Sequence, residues 1–135
     1  MNATFCSALG EDDKKLLLAR AIQLFMPGKP QVWYLDLFAG KNDHAAVARA
    51  GEGGHKEINR TNLTAAEIEA GLQKEVVQKQ VELLRLRNSC PAFDWNAVVT
   101  AEAVGEHLTI RWEYEGSKAV LKANLKIFDF TVETK

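Results

Sequence analysis

Between residues 53 and 67 the chain reads GGHKEINRTNLTAAE, and here its chemistry-bearing side chains are densest. His55, Lys56, Glu57, Asn59 and Arg60 stand immediately before a helix start, more polar chemistry than a plain connector needs. Arg60 is the candidate binding residue, because a guanidinium holds its charge and offers several donors in a fixed planar fork. Its simplest structural use is an ion pair with a local carboxylate such as Glu57. Metal chemistry is poorly supplied. His44 and His55 have no third ligand at suitable spacing, so neither a metal nor a cofactor is expected. AGKND at 39–43 and GEGG at 51–54 place glycines beside polar groups, but without the G-x-x-x-x-G-K-[ST] spacing of a nucleotide loop. Asn42 and Asp43 suit side-chain to backbone bonds in a turn. Trp33, Tyr34 and Phe38 carry rings that can stack on sugar, yet in a buried strand such residues form core. Trp112 and Tyr114 are read the same way, as a packed sheet face.

These residues need elements to hold them. DDKKLLLARAIQLFM predicts a helix over residues 13–26, capped by Asp12 or Asp13 and apolar over most of its circumference. Pro27 and Gly28 stop it. QVWYLDLF at 31–38 lacks clean polar alternation and predicts a strand covered on both faces, as in a parallel sheet between helices. A long loop follows over 40–61, with a helical turn at DHAAVARA. Thr64 and Glu67 form a capping-box match that opens a helix running to about Arg87, with Gly71 a weak spot inside it and Pro91 beyond its end. From Trp95 the pattern changes to four short strands, NAVVTAEA, HLTIRWEYE, KAVLKANL and KIFDFTVE. VGEH and EGSK are hairpin turns between them, and Leu108, Ile110, Trp112 and Tyr114 share one face.

At 135 residues, 47% hydrophobic and 26% charged, the chain has the composition of one globular domain or a piece of a larger one. A net charge of −1 excludes a general nucleic-acid binder. No apolar run reaches a membrane span, and the first residues lack a secretory pattern, so a cytoplasmic location without nucleic-acid or membrane partners is expected. Cys6 and Cys90 are then free buried thiols, and the N-x-T triplets at Asn2, Asn59 and Asn62 are chance matches.

One objection shapes the fold. A single buried strand cannot make a parallel sheet, because both its edges need partners. The first half therefore holds the parts that end an α/β fold without those that begin it, which indicates a fragment.

The stretch SALGEDDKKLLLARAIQLFMPGKPQVWYLDLFAGKNDHAAV, followed by EINR and VVQKQVELLRLRNSCPAFD, resembles the sucrose phosphorylases of glycoside hydrolase family 13, in the α-amylase superfamily. The resemblance covers nearly all of residues 2–95 and fades beyond. It implies an α/β fragment plus a small antiparallel β domain. Residues 1–92 would be the C-terminal portion of a (β/α)8 barrel, comprising its seventh helix, eighth strand and eighth helix. Residues 93–135 would be the C-terminal β-sheet domain.

The same resemblance implies a retaining transfer of glucose from sucrose to phosphate, through a covalent glucosyl-enzyme. Such chemistry needs two carboxyl groups about 5 Å apart. The family's nucleophile, acid/base and third carboxylate all precede the position matching Met1. Asp36, Asp43 and Glu57 do not match them, so no catalytic residue is expected here and the chain alone should be inactive. Arg60 matches the arginine of the family's INR triplet, which helps hold the glucosyl unit through a hydroxyl. Thr61 stands where relatives often place a histidine. Sucrose and phosphate are the partners implied for the intact enzyme. Sucrose 6'-phosphate, glucosylglycerate or a non-enzymatic carbohydrate- or partner-binding remnant are the alternatives. Self-association, or pairing with the missing N-terminal part, is expected from the unpartnered strand.

Overall fold

A computed structural model describes residues 2–135. The elements in chain order are α1 (Phe5–Ala8), α2 (Asp13–Phe25), α3 (Tyr34–Leu37) and α4 (His44–Ala50). A 3-10 helix (Gly54–Asn59), α5 (Ala65–Leu72) and α6 (Glu75–Ser89) follow, then strands β1 (Val98–Val104), β2 (His107–Tyr114), β3 (Ser117–Asn124) and β4 (Asp129–Thr134). Contacts divide the chain into two compact units, one of residues up to Leu16 with Gln31–Lys79, the other of Leu17–Pro30 with Gln80–Lys135. Among the described residues no helix is long and apolar enough to cross a membrane.

In the first unit, Cys6, Leu16, Val76 and Val77 form a small core with Phe5, Leu9, Phe38 and Ala39 packed on it. Polar side chains tie the start of the chain to the loop after α3. The Thr4 N–H donates to Asn42 Oδ1 at 2.8 Å, the Asn42 N–H to Ser7 Oγ at 3.0 Å, and the Phe5 N–H to Asp36 Oδ1 at 2.8 Å. Of the two residues expected to organise the local turn, Asp43 makes a local side-chain to backbone bond, to the Ala46 N–H, whereas the Asn42 side chain reaches 38 residues back along the chain instead.

The buried strand expected at 31–38 does not form. Trp33 is extended (φ −74°, ψ 137°), but Tyr34–Leu37 is a single α-helical turn. The only sheet among the described residues is that of β1 to β4, so this segment has no ladder to join. Its amides bond locally instead: Leu37 N–H to the Trp33 carbonyl at 3.1 Å, Phe38 N–H to Tyr34 at 3.2 Å, Gly40 N–H to Leu35 at 2.8 Å. One side is buried through Leu35 and Asp36, while Trp33 and Tyr34 face water, so the segment is not covered on both faces.

The helix expected from Thr64 to about Arg87 is broken at Gln73 and Lys74. Gly71 explains the weak point. A Cβ there would sit 2.5 Å from the Phe38 ring, so only glycine lets that ring pack against α5. The amides of Gln73 and Lys74 then turn back to the carbonyls of Ala70 and Gly71, at 3.2 and 3.0 Å, closing the helix with a tightened turn.

The second unit is built on the antiparallel order β1-β2-β3-β4, with the first three strands and both tight turns close to where the hydrophobic pattern predicts them. The fourth starts three residues late, because residues 125–128 form a turn with Phe128 at φ 56°. Ala101, Ile110, Leu121 and Val132 align across one face. Ile110 and Leu121 of that face form a core with Leu24, Phe25, Leu83 and Ala92, and Val132 packs against it. Each large side chain so buried contributes roughly 1.5–3 kcal/mol. Trp112, as expected, is core: 4% exposed, with its indole N–H donated to the Phe25 carbonyl at 2.7 Å. Inside this unit Arg20 is also buried, donating to Gln80 Oε1 at 2.9 Å and to Gln23 Oε1. Pattern reading misses it, since a lone arginine on an apolar helix reads as its polar edge.

Candidate functional site

Arg60 sits at the C-terminal end of the 3-10 helix, whose entry is set by Gly53 in the left-handed region (φ 80°). That conformation suits a residue without Cβ, so the reversal after α4 costs little. Asp43 organises the other side of the loop. It caps α4 by accepting from the Ala46 N–H at 2.8 Å, and its own N–H donates to the Ile58 carbonyl at 2.8 Å. Two aromatic residues pin the chain on both sides of Arg60. Trp33 Nε1 donates to the Asn59 carbonyl at 2.9 Å, and the Tyr34 hydroxyl donates to the Thr61 carbonyl at 2.7 Å. The backbone of the INR triplet is therefore held, and its arginine side chain is not.

Arg60 Nη1 lies 3.9 Å from Glu57 Oε1, with both side chains well exposed, and Arg49 Nη2 lies 3.9 Å from Asp43 Oδ2. Pairs this long and this wet are worth little and open easily. Asp43, Arg49, Glu57, Arg60, Thr61 and Asn62 line an open hollow of about 480 Å³. Two guanidinium forks supply donors and two carboxylates supply acceptors, which suits a ligand rich in hydroxyls, each both donor and acceptor. Behind the hollow, Thr64 and Glu67 form the expected capping box, with Thr64 N–H to Glu67 Oε2 at 2.7 Å and Glu67 N–H to Thr64 Oγ1 at 3.3 Å. The backbone N–H of Thr64 holds the Glu67 carboxyl below the usual carboxylate range.

No protein-family profile matches the chain. Individual relatives do. The sucrose 6(F)-phosphate phosphorylase of Ilumatobacter coccineus is 57% identical over 134 residues, which are 98% of this chain and 25% of that protein. The sucrose phosphorylase of Bifidobacterium adolescentis is 37% identical over 90% of this chain and 23% of its own length. In three dimensions, the crystal structure of sucrose 6F-phosphate phosphorylase from Thermoanaerobacter thermosaccharolyticum superposes with a TM-score of 0.90 at 41% identity, over 98% of this chain and 26% of that one. The chain is homologous to sucrose phosphorylases. It spans about a quarter of the length of the curated relatives it matches.

Each of the three carboxylates weighed above has a partner within the chain. Asp36 accepts the Phe5 amide, Asp43 caps α4 and Glu57 faces Arg60. His44 opens α4 and His55 lies in the 3-10 helix, and among the described residues no three His, Cys, Asp or Glu gather as a metal group. Cys6 is buried, Cys90 half-buried, and both are free thiols; burial pushes the Cys6 thiol up. Sequence reading did not find Arg49, which only the helical turn of α4 brings to the hollow. Nor did it assign Trp33 and Tyr34 to clamping the loop, because it placed them inside a strand.

Proposed function

We propose that this chain is the C-terminal part of a sucrose phosphorylase-type enzyme, a retaining glucosyltransferase that moves glucose from sucrose to phosphate. The single observation that carries the reading is identity at 57% and 37% to two phosphorylases across nearly the whole chain. In the complete enzyme, Arg60 holds a hydroxyl of the glucosyl unit. Its fixed fork and the clamped backbone on either side support that role, since positioning requires a rigid mount and an available donor. The nucleophile, the acid/base and the transition-state carboxylate come from the part of the enzyme outside this chain, and the chain up to residue 92 belongs to the end of its catalytic domain. By itself the chain is inactive. Incubating the purified chain with sucrose and phosphate, and measuring glucose 1-phosphate, tests this: no product above a no-protein control is expected, and steady release would overturn it.

A second reading concerns the donor. Identity to the Ilumatobacter coccineus sucrose 6(F)-phosphate phosphorylase, 57%, exceeds that to a glucosylglycerol phosphorylase, 45%, and to three sucrose phosphorylases, 36%, 37% and 38%, which favours a phosphorylated sucrose as substrate of the complete enzyme. Competing the two donors in a chain fused to a catalytic remainder distinguishes them, and a preference for unmodified sucrose would reject the phosphorylated donor.

A further inference from the structure

We propose that a cleft beside Trp95, in the second compact unit, binds a small neutral saccharide. Trp95 is 84% exposed and lines a cavity of about 610 Å³. That volume falls within the usual range for small-molecule sites. The floor is Phe93, Trp112 and Arg87. Arg87 is fixed there, its guanidinium 4.4 Å from the Phe93 ring centre and 4.8 Å from that of Trp112, with Nη2 donating to the Gly28 carbonyl at 3.0 Å.

The lip supplies both kinds of hydrogen-bonding group. Lys29 offers an ammonium. Asn88 spends its amide N–H on the Leu84 carbonyl at 2.9 Å, leaving Oδ1 as acceptor. Asp94 spends Oδ1 on the backbone and side chain of Asn96, at 2.8 and 3.2 Å, leaving Oδ2. A pyranose matches this set. Its axial C–H face covers an indole, and its hydroxyls each donate and accept, so they satisfy the ammonium and the two oxygens together. Asp94 offsets Lys29 at the lip, while Arg87 is turned onto ring faces and the Gly28 and Phe93 carbonyls, so the small residual positive charge is met by the lone pairs of hydroxyls. The cleft shares no residue with the hollow at Arg60, so the inference is independent of the glucosyl role proposed there.

The test titrates the full chain with glucose, fructose, sucrose and, as an anion control, inorganic phosphate, following acrylamide quenching of tryptophan fluorescence. A Trp33→Phe background leaves Trp95 as the exposed reporter. Saturable protection by at least one sugar is expected, weakened about tenfold by Asn88→Ala and abolished in Trp95→Ala, with far-UV spectra unchanged; tenfold corresponds to ~1.4 kcal/mol. A separate two-dimensional amide NMR titration of Trp95→Ala shows whether sugar still binds without the reporter. No saturation by any sugar, binding that persists in that variant, binding lost on Arg60→Ala instead, or equal protection by phosphate would each overturn the proposal.

Discussion

Replacing Trp112 with phenylalanine separates what its indole does from what any aromatic ring would do. Trp112 is 4% exposed, meets the Phe93 ring edge-on at 5.3 Å and donates its N–H to the Phe25 carbonyl at 2.7 Å. Phe25 is the last residue of α2, so its carbonyl is among the four that the helix leaves without an intrahelical partner. Phenylalanine keeps the ring contact but offers no donor, and a buried acceptor left unmet costs about 1–3 kcal/mol. Loss of the five-membered ring opens a void that adds roughly 1 kcal/mol. Together these lower the melting temperature by about 10 °C for a chain of this length. Thermal unfolding followed by far-UV circular dichroism measures it, with Trp95→Phe as control. Trp95 is 84% exposed, and its substitution should change stability by less than about 0.5 kcal/mol. Equal melting of the two variants would refute this account of the helix end.

Other substitutions probe single contacts. Gly71→Ala adds a methyl against the Phe38 ring and should destabilise by about 1–3 kcal/mol in urea melts, despite alanine's better helix propensity. Gln80→Ala takes an acceptor from the buried Arg20 guanidinium and should cost roughly 1.5–3 kcal/mol, whereas a surface glutamine would cost almost nothing. Thr64→Ala removes the cap of α5, about 1 kcal/mol. The same cap makes the stability pH-dependent: Glu67 has a depressed carboxyl pKa, so its contribution is present above the ordinary glutamate range and fades as pH falls through the lowered value. Thermal melts from neutral to acid pH should show the destabilisation caused by Glu67→Gln shrinking toward acid, while a difference that grows would contradict the sign.

The β-meander was legible because alternation has a period of two and turn residues stand at Gly105 and Gly116, so local rules and packing agree. The capping box at Thr64 was legible for the same reason. Residues 31–38 were not. Their β-branched and aromatic composition reads as strand, but backbone hydrogen bonding closes Tyr34–Leu37 on itself as a helical turn. Gly71 shows a similar limit, since its weakness as a helix former was visible but the ring of Phe38, 33 positions earlier in the chain, was not. At the candidate site, Arg60 could be singled out by its triplet. Arg49 and the hydrogen bonds from Trp33 and Tyr34 depend on chain reversals between residues 34 and 60 that no local pattern encodes.

The central claim is that this chain completes a phosphorylase and lends it Arg60. Joining residues 2–135 behind the N-terminal three quarters or so of the Ilumatobacter coccineus relative, and measuring glucose 1-phosphate from sucrose or its 6(F)-phosphate with phosphate, tests it most directly. The expected result is activity in the fusion, none in either part alone, and a large rise in KM or loss of kcat on Arg60→Ala with thermal stability unchanged. A folded fusion without activity, or one whose activity ignores Arg60→Ala, would contradict it.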